Sequence, residues 1–238
     1  MESLALLGFG ENGWGKLLLL AALMTLAVTL CAMLIGAVFG VLVAWAKLSK
    51  GRLPRFLGDA YTTIFRGIPE LLVIYLVYFG GSNILTAFGN MFGSESFVGI
   101  PPFFAGALAV GVISGAYQAE VFRGAFLAVS KGEIEAGRAV GMHRALLFRR
   151  VIAPQVLRFA IPGLGNVWQL SIKDSALISV TGLAELMRSS QVAAGSSHEY
   201  FLFYIVGGAL YLILTIMSGQ VFNKAEAKNA KSFRKAIV

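Results

Sequence analysis

The chain is poor in charge. Asp, Glu, Lys and Arg make up 13% of its 238 residues, against about a quarter in soluble domains, which excludes an ordinary water-soluble domain. It has one cysteine, Cys31, so an intrachain disulfide and a cysteine-based zinc site are both excluded. Its two histidines, His143 and His198, are isolated from each other and from carboxylate clusters, so neither reads as a metal ligand. No nucleophile, base and orienting group stand together either, so no catalytic residue is assigned and an enzyme is disfavoured.

Charge is absent over whole stretches. Residues 17–46, 71–94, 96–119 and 200–223 carry none, and each reaches the ~20 apolar residues that cross a bilayer as a helix. The runs are continuous and not alternating, which excludes a β-barrel. A fifth apolar region, 156–181, is interrupted by Pro162, Lys173 and Asp174. The expected fold is therefore all-α and membrane-embedded, one domain over 1–238. Its spans fall near 17–46, 67–88, 103–122, 156–177 and 200–222. The first run is too long for the apolar part of a cleaved signal and reads as a retained anchor.

The charges that remain are mostly basic, with a formal net charge of +8. They cluster in every second loop: Lys47 to Arg66, Arg123 to Arg158, and the tail from Lys224. That alternation follows the positive-inside rule and puts the N-terminus outside and the C-terminus in the cytoplasm. Binding to nucleic acid would need a basic face with recognition elements, and none is present. Two spans carry small-xxx-small spacings, Gly36 with Gly40 and Gly111 with Gly115, which let helices approach closely.

Residues 10–17, Gly-Glu-Asn-Gly-Trp-Gly-Lys-Leu, nearly spell a phosphate-binding loop. Leu17 stands where the Mg²⁺-binding hydroxyl belongs, and no strand precedes the segment. The chain therefore has no nucleotide site there, and ATP-driven transport would need a separate ATPase.

The loop at 129–155 is polar and helix-favouring. Glu133 and Glu135 lie at its start and Arg149 and Arg150 at its end, a polarity that suits the helix dipole. Gly141 sits within it and marks a break or a close backbone approach. Composition alone leaves open a basic loop lying on anionic lipid.

The order Glu135-Ala136-Gly137, then Gly141, then Val151-Ile152-Ala153-Pro154 resembles the cytoplasmic coupling motif of ABC importer permeases. Gly137 replaces the second alanine of that motif and Ala153 its leucine. Residues 115–125, Arg66-Gly67-Ile68-Pro69 and Lys173-Asp174-Ser175-Ala176-Leu177 extend the likeness to the polar amino acid branch, of the histidine, arginine and octopine type. The resemblance covers about 25–222. It implies a multi-pass subunit of the bacterial inner membrane. The partners implied are a second homologous permease chain, expected as a heterodimer, and two ATP-binding subunits that hold ATP and Mg. A periplasmic binding protein and the surrounding membrane lipid complete them. This chain itself binds no cofactor. Glu135, Ala136, Gly137, Gly141 and Pro154 become the ATPase-coupling residues.

Ionisable groups inside spans usually face a cavity or a partner. Lys173 and Asp174 read either as part of the solute path or as a structural ion pair. Gln169 lies one turn from Lys173 on a similar face, and Ser175 adjoins them. Glu70, beside Pro69, reads either as an acid that attracts a cationic solute or as an i,i+4 partner of Arg66. Glu120 and Arg123 read as structural charges near the membrane edge. The competing function is a self-contained proton-coupled carrier or channel, with Lys173 and Asp174 as relay groups.

Overall fold

The computed structural model describes residues 6–10, 13–92 and 96–234, with side chains as far as 229. Glu11, Asn12, Glu95 and Lys235, which entered the reading above, lie outside the described residues, as do the side chains of Lys231 and Arg234. All regular structure among the described residues is helical. Four helices are long and apolar enough to cross a membrane: Gly15–Leu48, Glu70–Met91, Pro102–Leu127 and Tyr200–Asn229.

Helix α1, Gly15–Leu48, ends at Ser49. Helix α2, Arg52–Gly67, stops where Ile68 turns extended, with φ −93° and ψ 141°. The cause is Pro69, whose ring excludes helical geometry from the residue before it. Helix α3, Glu70–Tyr75, passes through a π-turn at Leu76–Gly80 into α4, Gly81–Met91. Helix α5, Pro102–Leu127, opens on a proline, tolerated there because a first-turn N–H has no partner to lose. Helices α6, Lys131–Ala139, and α7, Arg144–Leu147, form the polar loop. A second π-turn, Phe148–Ile152, leads into α8, Ala153–Ser175. A 3₁₀ turn at Ala176–Thr181 precedes α9, Leu186–Ser197, and α10, Tyr200–Arg234.

Two elements differ from the sequence expectation. Residues 47–66 read as a loop, yet α2 is a strongly amphipathic helix whose Gly58 and Thr62 are buried. The second is the polar stretch Leu186–Ser197, outside every expected span, which forms α9 with Ser189, Ser190, Ala193 and Ala194 buried. Small residues let α9 pack closely against its neighbours, and hydroxyls can return their protons to the helix backbone; Ser190 Oγ donates to the Leu186 carbonyl at 2.8 Å.

The centre of the molecule is the α1–α5 pair. The two small-xxx-small motifs found separately in the sequence meet there. A Cβ on Gly36 would stand 2.2 Å from Ser114 Oγ, and one on Gly111 would stand 2.8 Å from Ile35 Cβ. Gln118 Nε2 donates to the Met33 carbonyl at 3.2 Å, and Ser114 Oγ to the Ala32 carbonyl at 3.4 Å. Close backbones thus bring in interhelical hydrogen bonds as well as van der Waals contact, the two attractions available inside a bilayer.

Candidate functional site: a coupling segment and an open polar cluster

The segment α6–α7 is built around two glycines. Helix α6 ends at Ala139, and Gly141 takes φ +82°. The Gly141 N–H reaches the Arg138 carbonyl and the Met142 N–H reaches that of Gly137, both at 3.0 Å. This is a Schellman ending, and it requires a left-handed residue at the position of Gly141. His143 then caps α7, its Nδ1 accepting from the Leu146 N–H at 3.3 Å. Gly137 is the buried residue of α6, and a Cβ there would stand 2.5 Å from Leu147 Cδ1. The departure from the motif at Gly137 is therefore the contact at which α6 packs on Leu147.

Glu135 and Ala136 face solvent, as do Gly141 and Pro154. Glu135 holds no ion pair among the described residues. Its neighbour Glu133 does something different: Gln155 Nε2 donates a hydrogen bond to its carboxylate. Gln155 is buried in the first turn of α8, so this bond struts α6 to a long helix. Sequence reading grouped Glu133 with Glu135 as helix-start acids and missed the strut.

The substrate-path candidates divide between two faces. Lys173 and Gln169 line a cavity of about 670 Å³ with Tyr204, Tyr211 and Thr215 of α10. Asp174 is half-buried and lies within electrostatic reach of Glu70. Lys173 and Asp174 form no salt bridge within 4 Å among the described residues, although Lys173 acts on Asp174 electrostatically, as Glu70 does. Ser175 is buried and donates to the Ile172 carbonyl at 2.7 Å. The pairing of Arg66 with Glu70 on one helix face also fails, because the helix breaks between them. Arg66 lies over the Tyr117 ring instead, 5.3 Å from its centre, a favourable cation–π distance.

Two polar groups assemble from residues far apart in the sequence, the first buried and the second part-buried. Glu185 is wholly buried and accepts from the Met187 and Arg188 N–H groups, at 2.8 and 2.7 Å. The Tyr211 hydroxyl donates to it at 2.7 Å, and the Leu186 N–H donates to Thr25 Oγ1 at 3.1 Å. Together these bonds fasten the start of α9 to α1 and α10. The usual capping residues are Ser, Thr, Asp and Asn, so a glutamate cap gave little signal.

The second group is an ionic knot at the end of α1. Lys47 pairs with Glu120 of α5 and, at 2.9 Å, with Asp59 of α2, and it donates to Thr62 Oγ1 at 2.8 Å. Arg123 closes the knot on Glu120 at 2.8 Å, so Glu120 and Arg123 have structural partners. Beside the knot, Tyr61 donates to the Val112 carbonyl at 2.6 Å, and burial pushes its hydroxyl up to about 12.

Comparison with known proteins decides the family. Residues 32–228 match the family described as binding-protein-dependent transport system inner membrane component. The chain belongs to that family. This family membership makes it a membrane-spanning transport subunit, in accord with its apolar helices. The octopine transport system permease protein OccQ of Rhizobium meliloti is 54% identical over the whole of both chains. The nopaline transport system permease protein NocQ of Agrobacterium fabrum is 49% identical, over 94% of this chain and 95% of its own length. Among solved structures, an amino acid ABC transporter crystallised with histidines superposes with a TM-score of 0.75 at 32% identity. That match covers 90% of this chain and 95% of the other, so the helical arrangement described above is the importer permease fold.

Proposed function

We propose that this chain is the permease subunit of an ATP-driven importer of cationic amino acids or opines in a bacterial inner membrane. Five spans, with the N-terminus outside, put α6 and α7 in the cytoplasm. A second, similar permease chain completes the path, two ATPase subunits bind ATP and Mg, and a periplasmic protein delivers the solute. The observation that carries this reading is the coupling segment. It presents an unpaired carboxylate, Glu135, on a short helix strutted to α8 by Glu133 and Gln155.

A short helix seated in a partner's groove is a common mode of recognition. Glu135 pairs with a basic group of the ATPase, while Ala136, Gly141 and Pro154 allow close approach. Gly137 fixes the segment's internal packing. Motion of the ATPase then reaches α8 through the strut, and α8 carries Gln169, Lys173, Asp174 and Ser175. In the path, Glu70 and Asp174 attract a cationic group of the solute and Lys173 its carboxylate. The names of the opine permease relatives support the solute class.

The test is uptake of labelled octopine, arginine, histidine and glutamine by vesicles containing the assembled transporter. The expected result is import that requires ATP and the ATPase subunits and prefers the cationic solutes. Uptake without any ATPase would establish the self-contained carrier instead. A preference for glutamine would remove the role of Glu70.

A further inference from the structure

Where α1, α5 and α8 converge beside the coupling segment, the surface opens into a slot of about 590 Å³. That volume is in the range of ligand clefts, about 300–1,000 Å³. Its walls are apolar: Trp45 and Leu48 of α1, Phe122 and Phe126 of α5, Phe148 of the π-turn and Leu157 of α8. Trp45 is 75% exposed and Phe148 55%, so the slot opens sideways and not into the core.

The rim differs in kind from the walls. Ser49 lines the slot at the end of α1, and its hydroxyl is shut off from solvent with no hydrogen-bond partner among the described residues. The Arg55 guanidinium donates to the Ser49 carbonyl at 3.1 Å, which places a cation at this edge. Lys50 follows Ser49 and is exposed, and exposed Arg149 precedes the lining residue Ala153 by about one turn. Of the nearby acids, Asp59 is paired with Lys47 and Glu133 accepts from Gln155. An apolar slot with three cations on or next to its bordering segments is complementary to one class of molecule: an acyl chain with an anionic head.

We infer that this slot holds one acyl chain of an anionic phospholipid of the cytoplasmic leaflet, its phosphate held by Arg55, Lys50 and Arg149. The sidedness rests on the proposed topology. Phe148 lies in the π-turn that joins α7 to α8, so the lipid would contact the element through which coupling motion passes.

The experiment replaces Trp45 with the photoreactive amino acid p-benzoylphenylalanine in the assembled transporter. The transporter is then reconstituted in equimolar phosphatidylglycerol and phosphatidylcholine. After irradiation, mass spectrometry identifies what is attached. One cation near an anionic surface is worth about a fivefold preference, so phosphatidylglycerol is expected at least about fivefold over phosphatidylcholine. Arg55→Gln, an exposed change outside the coupling and path residues, should lower that ratio about fivefold. Equal capture of the two lipids would show an ordinary annular contact, and attachment to another subunit would show a protein interface; either overturns the proposal. An unchanged ratio in Arg55→Gln also overturns it. ATP-dependent import by the same vesicles is read separately, so a transporter that imports without lipid preference counts against the slot alone.

Discussion

The knot around Lys47 and the cluster around Lys173 hold similar charges in opposite states. At the knot, two acids, two cations and a threonine hydroxyl close on one another across three helices. At the cluster, Lys173 lines a cavity and Asp174 is within electrostatic reach of both Lys173 and Glu70, with no salt bridge formed. Charges that satisfy each other fix helices. Charges that close no salt bridge remain available to a solute.

The largest expected effect tests the closed side of that contrast. Lys47→Ala removes the cation shared by Glu120, Asp59 and Thr62, and for these part-buried partners the loss should be about 3 kcal/mol, the upper end for a hydrogen bond to a charged group. The purified subunit should melt markedly lower in detergent. If its melting temperature is unchanged, the knot is not structural. The Glu133–Gln155 strut comes next. Hydrogen bonds to charged groups contribute about 1.5–3 kcal/mol, so Glu133→Ala and Gln155→Ala should be non-additive in a double-mutant cycle on melting. Additive losses would mean the two side chains act separately.

Gly141→Ala forces an L-residue into the left-handed region, at a cost of about 1–2 kcal/mol. Gly137→Ala should cost less, because the atom in its way is the end of the flexible Leu147 side chain. The reverse order in thermal melts would show that the Schellman ending is not holding the segment. The smallest stability effect is predicted on the open side. Lys173→Met should change melting by no more than about 0.5 kcal/mol, as at sites without special contacts, yet should abolish import. A large melting loss there would assign Lys173 to the scaffold.

Much of this arrangement was legible in the sequence, for identifiable reasons. Charge-free runs became helices because length and hydropathy are local properties. Gly36, Gly40, Gly111 and Gly115 carry a spacing that already states close packing, and Gly141 announced the end of a helix. What escaped depends on partners distant in the chain. Lys47 and Glu120 are 73 positions apart, and Glu185 meets Tyr211 across 26. Helix α2 escaped because its charges resemble those of a loop, although its apolar residues recur at helical spacing. Helix α9 escaped because serines and a glycine conceal a buried face.

The central claim is that α6 and α7 transmit the work of an ATPase to the helices of the path. The most direct measurement is solute-stimulated ATP hydrolysis by the complete transporter carrying Glu135→Ala. Glu135 is exposed and unpaired, so the subunit should fold and melt as before. The predicted result is loss of stimulation together with loss of import. Stimulation and import equal to those of the unaltered transporter, with the substitution in place, would contradict the account.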